Sequence, residues 1–218
     1  MKEYHKIDGL YMREESTKHL LPGVYRNPLV EYLKNNQWTF TEKIDGTNIR
    51  VVWDGHRVSF HGRTDKATIP VKLLQRLEEL FGGETNEQVF EQYFGEKEVT
   101  LYGEGYGAGI QKGGGDYRKD NDFILFDVEV GDTIMLARED VEEIARNFGI
   151  DVVPVVMTGT LAEAEAFVRQ RPMSTIGTAK MEGLVGRTSL EVKDRRGKRV
   201  IVKIKTRDYD EIDRQAQT

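Results

Sequence analysis

The 218-residue chain carries a formal net charge of −5, with 38% hydrophobic residues, 32% charged residues and no cysteine. This composition is typical of a soluble globular protein with one sizeable core or two smaller ones. The lack of cysteine excludes disulfides and thiolate zinc sites and suits a reducing cytosol, so we expect a cytoplasmic protein. The acidic balance argues against a general nucleic-acid coat but is compatible with a local basic groove.

The sequence also disfavours a histidine metal site, a membrane helix and a signal peptide. None of the four histidines has the spacing of a metal-binding motif; they are His5, His19, His56 and His61. No apolar run approaches the roughly 18 residues that a membrane helix needs. Residues 1–6 lack the apolar core of a signal peptide.

The first half of the chain predicts a strand-rich segment followed by two helices. Residues 1–37 show little periodicity, and we assign them no function. The predicted elements are a short helix at 29–33, strands at 38–43, 48–53 and 57–61, and helices at 71–81 and 85–94. Asp54-Gly55 is a hairpin turn signal between the second and third strands. Thr85 and Gln88 have capping-box spacing, so we expect Thr85 to cap the second long helix.

The second half of the chain mixes strands with helices. The predicted strands are 99–104, 122–130 and 182–187, the predicted helices are 138–148 and 161–170, and the predicted hairpin has arms at 190–194 and 198–205. Residues 103–115 are expected to form a glycine-rich loop, and Pro154 should interrupt the extended run 152–156 or place it at a sheet edge. The pattern predicts an α+β fold of antiparallel sheets flanked by helices, in one domain over residues 1–218.

Two patterns in the glycine-rich region resemble phosphate-binding motifs but lack a feature that each motif requires. Residues 103–108 fit G-x-G-x-x-A, but a dinucleotide fold needs a helix to begin there, and the glycine-rich segment continues instead. Gln111-Lys112-Gly113 lacks the Gly-Lys-Ser/Thr of a Walker loop.

The segment Glu42-Lys43-Ile44-Asp45-Gly46-Thr47-Asn48 places a lysine at a strand end, directly before a tight turn. Lys-x-Asp-Gly alone is typical of a solvated turn. Its interpretation as a nucleophile therefore depends on residues further along the chain.

Charged residues on later strands supply possible partners for Lys43. Lys203 and Lys205 share one face of a strand, either as a solvated edge or as two cations for a triphosphate. Asp127 and Glu129 lie in the most apolar predicted strand, and Glu182 begins another. An unpaired buried charge is costly, so these carboxylates either lie at a sheet edge or in salt bridges, or are ligands of a metal or ribose.

Taken in chain order, these motifs resemble the covalent nucleotidyltransferase superfamily of DNA ligases, RNA ligases and mRNA capping enzymes. The pattern is Lys43-x-Asp45-Gly46, Arg63, Gly103-Glu104, Phe126-Asp127, Glu182-Gly183 and Lys203-x-Lys205, within residues 38–207. The spacing of Asn48 and Arg63 from Lys43, and the segment 102–105, make the sequence most similar to the RNA ligase 2-like family. The resemblance implies a nucleotidyltransferase (adenylation) domain with an ATP-grasp-like fold.

The resemblance also implies an activity, ATP-dependent RNA ligation. Lys43 would attack the α-phosphate of ATP to give lysyl-AMP, AMP would pass to an RNA 5′-phosphate, and a 3′-hydroxyl would displace AMP. The implied contacts are Glu42 with adenine; Asp45, Gly46 and Asn48 near the ribose or hydrated metal; Arg63 with ribose or the RNA 5′-phosphate; Glu104 with a ribose hydroxyl; Phe126 stacked on adenine; Glu182 with Mg²⁺ (or Mn²⁺) through water; and Lys203 and Lys205 with the α-phosphate and pyrophosphate. Lys43 must lose its proton to attack, and the nearby cations would lower its pKa.

The sequence departs from the family pattern after the last lysine motif. DNA ligases and capping enzymes carry an OB-fold domain there, and RNA ligase 2-type enzymes carry a helical domain. Only residues 206–218 follow here, so we expect no OB-fold domain. The basic segment 193–207, with Lys112, Arg118 and Lys119, is either an RNA-binding surface that substitutes for the missing domain or an ordinary exposed surface. A GTP-dependent capping-type guanylyltransferase, a small DNA ligase and a nucleotide-binding module with weak ligation remain the alternative functions.

Overall fold

A computed structural model of the chain describes residues 3–131 and 133–215. The strands are β1 (Asp8–Gly9), β2 (Tyr11–Arg13), β3 (Leu20–Tyr25), β4 (Trp38–Lys43), β5 (Thr47–Trp53), β6 (Val58–His61), β7 (Val99–Gly107), β8 (Asn121–Val130), β9 (Ile134–Met135), β10 (Asp151–Val152), β11 (Val155–Gly159), β12 (Gly183–Thr188) and β13 (Ile201–Lys205). The helices are α1 (Pro28–Tyr32), α2 (Val71–Phe81), α3 (Glu84–Phe94), α4 (Gly114–Tyr117), α5 (Arg138–Phe148), α6 (Leu161–Arg169) and α7 (Thr206–Gln215).

These elements form two compact units. The middle unit comprises Asp45–Val153 together with the described residues up to His5. The flanking unit comprises Lys6–Ile44 and the described residues from Pro154 onward. No helix within the described ranges is both long and apolar enough to cross a membrane.

The flanking unit is built on a five-stranded sheet in the order β1-β13-β12-β4-β11. β12 lies antiparallel between β4 and β13, whereas β1 joins β13 in parallel. Trp38 and Phe40 of β4 are fully buried, and they pack in one core with Leu161 and Val168 of α6. α6 begins with a capping box, in which Thr160 is the cap and Glu163 its partner.

The middle unit is built on a six-stranded sheet, in which β10, β8, β7, β5 and β6 follow one another and β9 adds to β8. Alternate residues of β5, β7 and β8 form one core with α2, α3 and α5, because side chains on a strand alternate between its two faces. The residues between them therefore point to the face of these strands opposite α2, α3 and α5, which we call the open face.

A bulge in β8 changes which side chains reach the open face. The register pairs Tyr102 with Asp127 and Gly103 with Leu125, so Phe126 is an extra residue between two ladder positions. Leu125 and Val128 both belong to the helix-side core. Phe126 and Asp127 consequently both point toward the open face.

Most predicted elements are confirmed, but two local predictions are wrong. Thr85 does not cap α3, which begins at Glu84 with Gly83 as its N-cap and no side-chain cap; the Gly82-Gly83 pair makes the turn instead. The predicted strand 99–104 continues through Gly107, so Gly103 and Gly105 lie in a strand and not in a loop. A Cβ at Gly103 would overlap the ring of Phe123, which explains why glycine occurs within this strand.

Two further features differ from the predicted pattern near the end of the chain. The turn at residues 195–197 is present, but residues 190–194 contribute only the bridge Lys193–Arg199 and no strand. Residues 206–215 form α7, which the mostly polar tail did not predict; Tyr209 and Ile212 on one side of it pack on the flanking core. Residues 216–218 of the predicted tail lie outside the described residues. The sheets are also mixed, since β1–β13 and β8–β10 pair in parallel.

Candidate active site

The register of the flanking sheet brings three charged residues into one row. Gly183, at the start of β12, pairs with Lys43 at the end of β4 on one side and with Lys205 at the end of β13 on the other. Glu182 immediately precedes Gly183, so its side chain reaches both lysines. These three residues form what we call the charged row.

Glu182 bridges the two lysines of the charged row. Its carboxylate accepts from Lys43 Nζ at 2.6 Å and from Lys205 Nζ at 2.8 Å. Burial alone would raise the pKa of the Glu182 carboxyl, but the ammonium charges of Lys43 and Lys205 outweigh burial and hold that pKa below its ordinary value. Glu182 is therefore ionised at neutral pH.

Gly183 allows the close approach that the charged row requires. A Cβ at this position would overlap the carbonyl oxygen of Ile204 on the neighbouring strand. A larger residue would push β12 away from β13 and thereby separate Glu182 from Lys205. This steric requirement gives a physical reason for the Glu-Gly pair in the sequence.

Lys203 adds a third cation beside the charged row. It lies two residues before Lys205 on the same strand face, whereas Val202 and Ile204 are buried in the core as predicted. Burial, and then the charges of Lys205 and Lys43, lower the pKa of Lys203 below its ordinary value. Three lysines around one carboxylate leave an excess of positive charge, which favours an anionic ligand.

Glu42, one residue before Lys43, is buried and held by the loop at 172–181. Its carboxylate accepts from the Thr175 backbone N–H at 2.9 Å, from Thr175 Oγ1 at 2.6 Å and from the Ser174 hydroxyl. This loop leads directly to Glu182. The contact of Glu42 with adenine stays a prediction; the hydroxyl pair Ser174-Thr175, which sequence reasoning missed, occupies both of its carboxylate oxygens.

Three of the predicted nucleotide-binding residues meet on the open face of the middle unit. Asn48 and Glu104 are direct partners in the β5–β7 ladder, and the bulge adds Phe126. Asn48 Oδ1 is buried and has no hydrogen-bond partner within the described chain, so it is an available acceptor. Gly46 lies against Gly105, where a Cβ would overlap the carbonyl oxygen, and the Asp45 backbone N–H donates to the Tyr117 hydroxyl at 3.3 Å.

Aromatic residues line the same face. The Tyr4 ring lies 5.0 Å from Phe126 and 5.0 Å from Tyr102 between ring centroids. Tyr4 donates to Asp127 Oδ2 at 2.5 Å, and Tyr102 donates to Glu129 Oε2 at 2.7 Å. These contacts favour a structural role for the two carboxylates. Tyr4 belongs to the aperiodic start of the chain, where no sequence signal indicated it.

Arg63 is exposed on the turn that follows β6. Its guanidinium makes no hydrogen bond or ion pair with another described residue. Several basic residues of the predicted RNA-binding surface do have acidic partners. Lys198 pairs with Asp8, Lys193 and Arg199 pair with Glu191, and Arg118 pairs with Asp120 and Asp122. Arg195 and Arg196 at the turn are exposed.

A divalent metal could be held only together with other ligands. Within residues 3–131 and 133–215, no group of three or more histidine, aspartate or glutamate side chains could hold a metal ion. Mg²⁺ in nucleotide-dependent enzymes is bound by one or two carboxylates with waters and substrate phosphates. A single ionised carboxylate, Glu182, beside an anion-attracting cluster fits that kind of site.

Comparison with known proteins identifies the family. A sequence model described as RNA ligase matches residues 36–205, which run from just before β4 to the end of β13. The chain belongs to the RNA ligase family. This confirms the resemblance carried by Lys43, Glu182 and the Lys203-x-Lys205 pair. No curated protein matches the chain.

Solved structures of a Naegleria gruberi RNA ligase share the fold. A mutant with ATP and Mn has a TM-score of 0.66 at 17% identity, covering 98% of this chain and 58% of that chain. A mutant without ligand has a TM-score of 0.63 at 20% identity, covering 84% and 53%, and the ligase with PPi has 0.61 at 21%, covering 86% and 55%. The present chain thus spans little more than half the length of these ligase chains.

Proposed function

We propose that this RNA ligase family member is an ATP-dependent polynucleotide 5′-phosphate to 3′-hydroxyl ligase, with Lys43 as its nucleophile. The observation that carries this proposal is the charged row, in which Lys43 and Lys205 share the Glu182 carboxylate at 2.6 and 2.8 Å. An ordinary surface lysine does not lie at the junction of three strands with two further cations beside it. We propose further that residues 1–218 act as one adenylation domain.

The first step forms a bond between lysine and phosphorus. Lys43 leaves its contact with Glu182, gives its proton to solvent, and attacks the α-phosphorus of ATP with the nitrogen lone pair. The N–P bond forms while the bond from the α-phosphorus to the bridging oxygen breaks, and pyrophosphate leaves with that electron pair. The attacking nitrogen releases a second proton to solvent, which leaves a neutral phosphoramidate nitrogen. Lys203 and Lys205 balance the negative charge that develops on the phosphate oxygens.

The next two steps transfer AMP and seal the ends. An oxygen of the RNA 5′-phosphate attacks the phosphorus of lysyl-AMP, the N–P bond breaks, and Lys43 regains a proton. The 3′-hydroxyl of the second end then attacks the activated 5′-phosphorus, losing its proton as AMP leaves. We assign Arg63 to the 5′-phosphate or ribose, because an exposed guanidinium free of partners within the described chain suits a phosphate.

The nucleoside roles follow the family pattern and the open face of the middle unit. We propose that Glu104 and Asn48 bind ribose hydroxyls, that Phe126 stacks on adenine, and that Asp45 and Gly46 lie near the ribose. The available Asn48 acceptor supports this, since a ribose hydroxyl would donate to it. Complexes of the Naegleria ligase with ATP and Mn and with AMP and Mn support nucleotide and metal use here.

Glu182 is the residue that we propose for Mg²⁺ or Mn²⁺, through water. When bound with the nucleotide, the metal would neutralise phosphate charge and act as a Lewis acid. We propose RNA as the polynucleotide, in the cytoplasm, with Arg195 and Arg196 as exposed phosphate contacts.

Incubation with labelled ATP or GTP and Mg²⁺, followed by denaturing electrophoresis, tests the proposal. We expect label from ATP to survive denaturation in the wild type, to vanish in Lys43→Ala and to fall strongly in Lys205→Ala. Lys72→Ala, an exposed lysine on α2, serves as the matched control and should label normally. Label from GTP alone would establish the capping-type alternative, and an adduct that persists in Lys43→Ala would overturn the nucleophile assignment.

A further inference from the structure

One arginine of the middle unit is fully buried, although it lies on the open face, the side of the sheet opposite α2, α3 and α5. Arg50 in β5 is 0% exposed, and its neighbours in the ladder are Tyr102 on β7 and His61 on β6. No sequence motif singled it out. A buried guanidinium is costly unless its donors are satisfied, so its bonds indicate what it does.

Arg50 holds the turn that carries Arg63. Its Nε donates to the Gly62 carbonyl oxygen at 3.0 Å, and its Nη2 donates to Asp65 Oδ1 at 2.7 Å. These two acceptors flank Arg63 in the chain, one before it and one after it. The guanidinium therefore fixes the turn on both sides of Arg63, although Arg63 itself is exposed.

The turn has other features that fix its backbone. The Ala67 N–H donates to the Thr64 carbonyl oxygen at 3.0 Å, closing the chain after Arg63. A Cβ at Gly62 would lie 2.7 Å from the Ala67 Cβ, so this glycine permits the tight packing.

Arg50 also keeps one donor unused, because Nη1 is buried and has no hydrogen-bond partner among the described residues. An unsatisfied buried donor costs stability. An apolar side chain at this position would avoid that cost but could not hold both Gly62 and Asp65. The fixed fork of guanidinium donors, which reaches both acceptors at once, accounts for an arginine at this position.

We propose that Arg50 and Asp65 are positioning residues that fix Arg63 for AMP transfer to the RNA 5′-phosphate. The inference rests on the proposed function, in which Arg63 contacts that phosphate. Neither Arg50 nor Asp65 touches substrate; both act through the turn. A charged group displaced by about 1 Å can lose up to roughly a hundredfold in rate, so a loosened turn should slow transfer measurably.

The test is a double-mutant cycle on preformed lysyl-AMP enzyme. Asp65 is largely exposed, so Asp65→Ala should fold, which thermal unfolding checks. AMP transfer to 5′-phosphorylated RNA is measured for Arg63→Ala, Asp65→Ala and the double variant, alongside lysyl-AMP formation from ATP. We expect Asp65→Ala to slow transfer roughly tenfold while formation of lysyl-AMP changes little.

The positioning role predicts that the two substitutions are not additive. The double variant should transfer AMP no more slowly than Arg63→Ala, because Asp65 has nothing left to position. Asp65→Asn retains an oxygen acceptor for Arg50 and should recover most of the rate. Thr68→Ala, another exposed residue of the same segment, is the matched control and should behave as the wild type.

Hydrogen exchange provides a readout that does not depend on activity. Amides of residues 62–67 should exchange faster in Asp65→Ala than in Thr68→Ala. Multiplicative losses in the cycle, or unchanged exchange in the turn, would overturn the inference even where wild-type enzyme forms lysyl-AMP and ligates. Failure of the wild type to form lysyl-AMP would instead overturn the proposed function, on which the inference depends.

Discussion

At the scale of single residues, the charged row shows how Lys43, the proposed nucleophile, is held. Lys43 and Lys205 share one counterion, the Glu182 carboxylate, so neither ammonium is left unpaired in this partly buried site. Under the proposed function, the triphosphate of ATP must compete with Glu182 for the two lysines. The charged row thereby keeps the proposed nucleophile in register with Lys205.

The stabilising effect of Glu182 should depend on pH. Its folded-state pKa lies below the ordinary value of 4.5, so its contribution to stability is present above pH 4.5 and is lost as pH falls through the lower folded value. We expect Glu182→Gln to lower the free energy of unfolding at pH 7 and to differ less from the wild type at pH 3. Urea unfolding at both pH values measures this, and a difference that does not change with pH would contradict it.

The pKa of His61 is sensitive to the ion pair between Arg50 and Asp65. Burial, followed by the positive charge of Arg50, lowers the pKa of His61 below its ordinary value of 6.5, whereas Asp65 acts in the opposite direction. Removing the carboxylate in Asp65→Ala should therefore lower this pKa further. NMR titration of the imidazole protons measures the shift, with Thr68→Ala as the unchanged reference. A pKa of His61 that is unchanged or raised in Asp65→Ala would contradict this expectation.

At the scale of elements, Glu42 joins β4 to the loop at 172–181 that leads into β12. Glu42→Gln removes the charge from a carboxylate that accepts three hydrogen bonds and should lower stability by roughly 1–3 kcal/mol. Because the loop precedes Glu182, lysyl-AMP formation should also slow. Urea unfolding and adduct formation are measured together. A raised KM for ATP with unchanged stability would instead identify Glu42 as an adenine contact alone.

The sequence predicted elements with strong periodicity and missed features that depend on distant partners. α2 and α5 match their predicted bounds because apolar spacing and terminal glycines mark them. The tail helix α7 was missed because its polar composition hides the few residues that pack on the core. The bulge at Phe126 was also missed, since only pairing with β7 defines it.

The residues of the candidate site also fall into those that the sequence predicted and those that it missed. Motif order identified Lys43, Glu182 and Lys205, and the structure brings these three together. Arg50 and Tyr4 could not be recognised, because their roles come from burial and from contacts across strands. A lone arginine in a strand has no sequence signature of its own.

At the scale of the whole molecule, the family motif Lys-x-Asp-Gly spans the boundary between the two units. The first part of the flanking unit ends at Ile44, one residue after Lys43, and Asp45 begins the long segment of the middle unit. The charged row belongs entirely to the flanking unit, and the open face belongs to the middle unit. Each unit can therefore be tested through its own residues.

RNA binding should depend on local rather than net charge. The chain is acidic overall, yet Arg195 and Arg196 are exposed at one turn. The double variant Arg195→Ala/Arg196→Ala should weaken RNA binding and reduce the slope of log affinity against log salt by roughly 1–2, because each phosphate contact contributes about 0.7–0.9. Fluorescence anisotropy at several salt concentrations measures the slope, with Lys72→Ala as control. An unchanged slope would mark the turn as an ordinary exposed surface.

The charged row also has a consequence for folding kinetics. Glu182 and Lys205 are 23 residues apart, whereas Lys43 and Glu182 are 139 apart, with the middle unit between them in the chain. Contacts between distant residues carry a larger loop-closure cost and form more slowly. We expect pulse-labelled hydrogen exchange to show β12 and β13 protected before β4. Lys43, the proposed nucleophile, would then be the last member of the charged row to reach its place, so the proposed formation of lysyl-AMP would have to await the pairing of β4 with β12.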